Sequence, residues 1–123
     1  MTAEPAERRQ LADQLLQRLA GHVAVRREVL YPRVSQALPD GDTLVDLGFL
    51  GLDQIERTSK EIAGLTGAEP NFVPRVAKLA TEVWEHLDEE EAHVLPALVD
   101  AIGVDAANEL GDDLARADST PGR

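Results

Sequence analysis

HVAVRREVLYP, residues 22–32, returns 64 positions later as HLDEEEAHVLP, residues 86–96, with histidine first and proline last in both. The surroundings of each copy repeat their apolar residues at helical spacing. In PAERRQLADQLLQRLAGHVAVRREVLYPRVSQAL, Leu11, Leu15, Leu19, His22, Arg26, Val29 and Leu30 fall on one stripe behind Pro5, which predicts one long amphipathic helix over residues 5–37. Gly21 costs it about 1 kcal/mol against alanine, and Pro32 marks a place where it bends or ends. LPDGD, 38–42, reads as a turn, with Asp42 or Thr43 as the cap of a second helix running to residue 65. Its inner face is read as Leu44, Leu47, Leu52, Ile55, Ser59 and Ile62, with Gly48 and Gly51 weakening its first half. TGAEPN, 66–71, is the next break, and Asn71 is placed to cap a third helix over residues 72–100. Phe72, Val76, Leu79, Val83, His86, Glu90 and Val94 line one stripe of that helix. Gly103 separates a short helix over residues 105–116. No segment alternates with period two, so the fold class is all-α. The expectation is an antiparallel helical bundle of three long helices plus a short C-terminal helix, one domain over residues 5–117 with flexible ends at 1–4 and 118–123.

Composition narrows the chemistry. A chain of 123 residues with 43% hydrophobic content suits one core. Its net charge of −11, from 23 acidic and 12 basic residues, opposes binding to nucleic acid and to anionic membrane surfaces. No run approaches the length of a membrane span, and MTAEPAERRQ lacks the apolar core of a secretory signal, so a soluble, cytoplasmic protein is expected. Without cysteine there is no thiolate nucleophile, disulfide or sulfur-ligated metal; a metal would need carboxylates and the three histidines, His22, His86 and His93. No nucleophile constellation or glycine-rich phosphate loop is present, and no acid–base pair stands outside the histidine segments, so the chain is not read as an enzyme.

In HLDEEEAH, His86, Glu90 and His93 are spaced four and three apart and project from one helix face. An imidazole and a carboxylate one turn apart on an inner face form the unit from which helical bundles build iron or manganese sites. The same residues admit a plainer reading: Glu89, Glu90 and Glu91 as a solvated charge run, His86 as a core histidine, and His93 as a surface partner of Glu89. In HVAVRREVLYP the equivalent place holds Arg26. A guanidinium offers only donors and repels a cation. Placed inward, Arg26 needs a carboxylate, with Glu56, Glu90 and Glu91 as candidates; placed outward it snorkels, with Arg27 wholly on the surface.

The layout resembles the hemerythrin-like HHE cation-binding domain. It is carried by the His22 segment closing on Tyr31 and Pro32, by LPDGD, by a middle helix with Glu56, and by the His86 segment closing on Pro96. The resemblance covers nearly the whole chain. It implies a four-helix bundle holding a non-haem di-iron centre, with histidines and a pair of bridging carboxylates, used to bind or sense oxygen and related small molecules. It carries over His22, Glu56, His86 and Glu90 or Glu91 as metal ligands, with His93 as an outside candidate. It also places Arg26 at one bridging-carboxylate position and Leu52 at the histidine position four residues before Glu56. The family's first helix has no counterpart. These departures imply a degenerate domain that has lost the di-iron site, carries no cofactor and serves as a structural or interaction subunit. They leave as alternative a non-haem iron protein whose site is completed by a partner or across a dimer. Glu56 has a plainer role too, as the i+4 partner of Lys60. The missing helix leaves an apolar groove, for which a homodimer or a hemerythrin-like partner chain is expected.

Overall fold

A computed structural model describes residues 4–118. They form α1 (Pro5–Val25), a π-turn (Arg26–Leu30), α2 (Tyr31–Ala37), α3 (Gly41–Ala63), α4 (Phe72–Glu89), a second π-turn (Glu90–Val94), α5 (Leu95–Ile102) and α6 (Val104–Asp118). There is no strand among them. The chain is all-α, a bundle of three long helical rods and one shorter helix. Of the ends expected to be flexible, residues 1–3 and 119–123 lie outside the described residues; Glu4 stands at the N-cap of α1, and Asp118 closes α6.

The two prolines neither end nor break their rods. Proline lacks an N–H and its ring crowds the carbonyl four residues back, so an unmodified α-helix loses a bond there. Each rod instead passes through a π-turn just before its proline. The Tyr31 N–H donates to the Arg26 carbonyl, and the Leu95 N–H donates to that of Glu90. The wider turn absorbs one extra residue, and the helix resumes with proline in its first turn, where no N–H is required. The first rod therefore spans residues 5–37 as its sequence predicts, and the third extends to Ile102.

α3 is the middle element, packed against α1 and α2 on one side and α4 on the other. Leu52, Ile55 and Ile62 from α3, Leu30, Tyr31 and Val34 from the first rod, Phe72 and Leu79 from α4, and Leu98 and Leu110 further on form the core. Burying each large apolar side chain contributes about 1.5–3 kcal/mol. At the end where α1 begins, Arg9 donates to the carbonyls of Ile62 (2.7 Å) and Leu65 (2.6 Å), and Arg8 Nε donates to Gly67 (2.9 Å). These bonds tie the start of α1 to the end of α3 and to the loop that follows it.

Some expectations for side chains are corrected. Leu11, Leu15 and Leu47, read as inner-face residues, are 53%, 40% and 58% exposed. α1 meets α3 through Ala12, Leu16 and Val23, a face rotated from that of Leu11 and Leu15, because its packing partner lies to one side only. On α3, Leu44 turns inward as expected and Gly48 does so in place of Leu47. Neither Asp42 nor Thr43 caps α3: the helix starts at Gly41 behind Asp40, and the Asp42 carboxylate instead accepts the Ser35 hydroxyl. Asn71 does hold the N-cap position of α4, without a side-chain bond to the helix.

Candidate functional site: a buried Arg–Glu–His–Tyr cluster

The π-turns decide which residues meet in the middle of the bundle. In a regular α-helix, residues five apart point about 140° away from each other. Across one π-turn they return to the same side, so Tyr31 joins Arg26 on the inner face. Arg26 Nε donates to Glu90 Oε2 at 3.3 Å, with the two side chains 17% and 5% exposed. Of the three carboxylates open to Arg26 from the sequence, Glu90 is the one it meets. His86 Nε2 lies 3.8 Å from the same Glu90 oxygen and 3.3 Å from the Tyr31 hydroxyl. Two glycines on α3 make room for this cluster. A Cβ at Gly48 would stand 2.5 Å from the Tyr31 oxygen, and one at Gly51 would stand 2.6 Å from His86 Nδ1. The glycines that weaken α3 as an isolated helix are the seats of the two rings. Phe49 closes the cluster on one side, edge to face with Tyr31 at 5.2 Å between ring centres.

Protonation follows from burial. Burial raises the Tyr31 phenol well above its ordinary value and the Glu90 carboxylate adds to this, against the two arginines. Burial lowers the His86 imidazole and the Arg26 guanidinium lowers it further, while Glu90 opposes both. Both groups favour the neutral form, and Tyr31 donates to His86 in the tautomer whose Nε2 is unprotonated. Glu90 Oε1 is buried and has no hydrogen-bond partner among the described residues. It borders a cavity of about 60 Å³ lined by Tyr31, Val34, Gly48, His86 and Val94, among others. Such a volume exceeds the roughly 10–15 Å³ that a buried water requires.

A pH dependence follows. His86 is neutral when folded, and its unfolded-state value is near 6.5. As pH falls through that value the unfolded chain binds a proton that the folded chain refuses, so stability drops until the lowered folded value is reached. The urea midpoint is expected to fall between pH 7.5 and 5.5, with a smaller fall in His86→Gln; equal falls in the two proteins would exclude His86 as the cause.

The other candidate residues lie elsewhere. Arg27, placed wholly on the surface only in the outward reading of Arg26, is half-buried and ties the first π-turn to α3. Its Nη2 lies 2.5 Å from Glu56 Oε1 and 3.0 Å from Asp53 Oδ1, and its guanidinium sits 5.8 Å from the centre of the Phe49 ring. Glu56 therefore pairs with Arg27 and not with Lys60. Pairs this exposed contribute up to about 1 kcal/mol. Glu91 points to solvent, and His93 meets Glu89 at 3.8 Å with both side chains well exposed. His22 is half-buried on α1, one turn before Arg26. Leu52 is fully buried in apolar core.

The donors implied by the resemblance do not fit a di-iron centre as they stand. Among the described residues no three of His, Asp or Glu gather into a group able to hold a metal ion. One carboxylate faces Arg26, another faces Arg27, and an apolar side chain fills a ligand position. Tyr31 is the member that sequence reasoning passed over. Its signal was present in the proline at the same offset in both copies, each inside a helix that continues.

Comparison with known proteins agrees with the layout. The hemerythrin HHE cation binding domain matches residues 1–98. A curated relative, described as a DNA nickase from Nostoc sp., is 30% identical over 97 residues, covering 77% of this chain and 26% of its own length. The chain thus spans about a quarter of that relative. No solved structure matches. With the family model covering most of the residues and the helices arranged as described, the chain belongs to the hemerythrin HHE cation binding family.

Proposed function

We propose that this hemerythrin-like chain has exchanged its di-iron site for an internal ion pair and serves as a structural or protein-interaction subunit without catalysis. The observation that carries this reading is the Arg26 guanidinium, 3.3 Å from Glu90 in a buried setting. A di-iron pair is held in part by the negative charge of its bridging acids. A cation in that place removes a ligand and adds repulsion that grows as the local dielectric falls. Leu52 removes a second donor. The nicking activity named for the relative is not carried over: the chain spans a quarter of that protein, and its charge of −11 opposes approach to phosphates.

Purified protein is expected to hold far less than one iron per chain and to lack the near-ultraviolet absorption of an oxo-bridged pair. The combined substitution Arg26→Glu and Leu52→His, which restores the two substituted donors, is expected to raise iron content several-fold on anaerobic loading. Stoichiometric iron with that absorption in the unmodified chain would establish instead a working non-haem iron protein that binds or senses a small molecule.

A further inference from the structure

The cavity beside the Arg26–Glu90 pair is a pocket with two ends. Leu47 and Glu89, both exposed, stand at its mouth, while Tyr31, His86 and Glu90, all buried, form its floor. Between them the wall is apolar, with Val34, Leu44 and Val45 among its members. The polar groups of the floor offer acceptors. Glu90 Oε2 takes the Arg26 Nε–H, whereas Oε1 has no hydrogen-bond partner among the described residues. Tyr31 gives its proton to His86 and keeps its oxygen lone pairs. His86 turns its Nδ1 edge to α3, where a Cβ added at Gly51 would stand 2.6 Å from it. Among the described residues, no lysine or arginine lines the pocket. A buried acceptor left without a donor is costly, so the floor selects an occupant that donates.

We propose that this pocket binds a small neutral hydrogen-bond donor with a short alkyl body, of which a two- or three-carbon alcohol is the simplest. Its hydroxyl donates to the Glu90 carboxylate, and its chain lies along Leu44 and Val45 toward Leu47. Charge sets aside the ionic alternatives. A carboxylate would approach two acids, Glu89 and Glu90, with no cation on the lining. An alkylammonium would give up its hydration for a carboxylate whose charge Arg26 already balances. A neutral donor incurs neither cost. Water alone would serve Glu90 but would leave the apolar wall wet, and an alkyl group takes that wall out of water. Size sets the length of the chain. The pocket holds about 60 Å³, several times the roughly 10–15 Å³ that one water requires and well below the ~150 Å³ of a cavity that admits benzene, so about two to four heavy atoms fill it. The open mouth admits them without unfolding of the bundle.

The pocket needs Glu90 held by Arg26 and not by a metal, so it rests on the loss of the di-iron site proposed above. Tyr31, the sole tyrosine, reports on its floor. The test follows the ring resonances of Tyr31 by NMR while the full chain is titrated with 1-propanol, with ethyl methyl ether and with propylammonium, iron content being read on the same sample. The ether has the same number of heavy atoms as the alcohol but only accepts hydrogen bonds. Propanol is expected to shift Tyr31 saturably, with half-saturation at roughly 1–10 mM, as befits so few heavy atoms. The ether and the ammonium are expected to bind at least tenfold more weakly. Leu44→Phe, which fills the wall from a half-buried position, is expected to abolish the propanol shift while helical circular dichroism is kept. An ether that binds as well as the alcohol, an ammonium that binds better, or no saturable shift with any of the three overturns the donor site, and these comparisons need no variant. If the chain is iron-free, such a result leaves the loss of the metal site standing. Stoichiometric iron together with a saturable propanol shift would instead overturn that loss and, with it, the stated basis of the pocket.

Discussion

Arg26→Ala is expected to lower the stability of the folded chain by about 3–5 kcal/mol, the cost of leaving a buried carboxylate without its cation. Glu90 is 4% exposed, and one of its oxygens already lacks a protein partner. Once the guanidinium is gone, His86, 3.8 Å away, offers a cation only in its protonated form, which burial disfavours. Removing both charges is a different matter. Arg26→Met combined with Glu90→Met is expected to be close to neutral or stabilising, because the desolvation of two ions is recovered along with the loss of their attraction. Urea unfolding of the two single variants and the double variant measures the coupling directly. Additive losses of less than about 1 kcal/mol each would mean that Arg26 behaves as a surface residue, and the ion pair would then no longer account for the absent bridging acid.

Gly41→Ala is expected to destabilise by about 3 kcal/mol, at the upper end of what a forced small-to-large change costs in a packed region. A Cβ at Gly41 would stand 2.2 Å from the Val34 carbonyl oxygen and 2.9 Å from the Ser35 Cα. Both are backbone atoms, so no side-chain rotation relieves the overlap, and α2 must move away from α3. That movement would disturb Tyr31 and Leu30, which belong to the same short helix and the π-turn before it. Gly111 provides the contrast. It lies in α6 with nothing within 4 Å of an added Cβ, so Gly111→Ala is expected to stabilise by up to about 1 kcal/mol through helix propensity and the unfolded chain. Thermal melting of the two variants checks both signs; a neutral Gly41→Ala would show that the α2–α3 approach is looser than described.

Much of this molecule was legible from residues alone. The three-and-four spacing of leucine and valine predicted every helix, with boundaries close to those observed, and the His-to-Pro repeat carried the family resemblance. The substitutions at Arg26 and Leu52 were equally plain, because a guanidinium and an isobutyl group lack lone pairs for a metal wherever the fold places them. Other features escaped for a shared reason. Periodicity assumes about 100° per residue along the whole rod, and each π-turn breaks that count. Tyr31 thereby enters the site, a consequence invisible in a helical wheel that runs through Pro32.

Sequence by itself determined the class of fold, the order of the helices and the chemistry that Arg26 and Leu52 exclude, since these depend on local spacing and on the functional groups present. Tertiary structure decided which of three carboxylates Arg26 meets, because that depends on how far α1 slides along α3 relative to α4. It also decided that Glu56 pairs with Arg27, and that Gly48 and Gly51 are spaces for rings and not merely weak points. Leu11 and Leu15 are the last case. Spacing marks them as apolar-face residues, but whether such a face is covered depends on how many neighbours a helix has, and within one chain α1 leaves that face open.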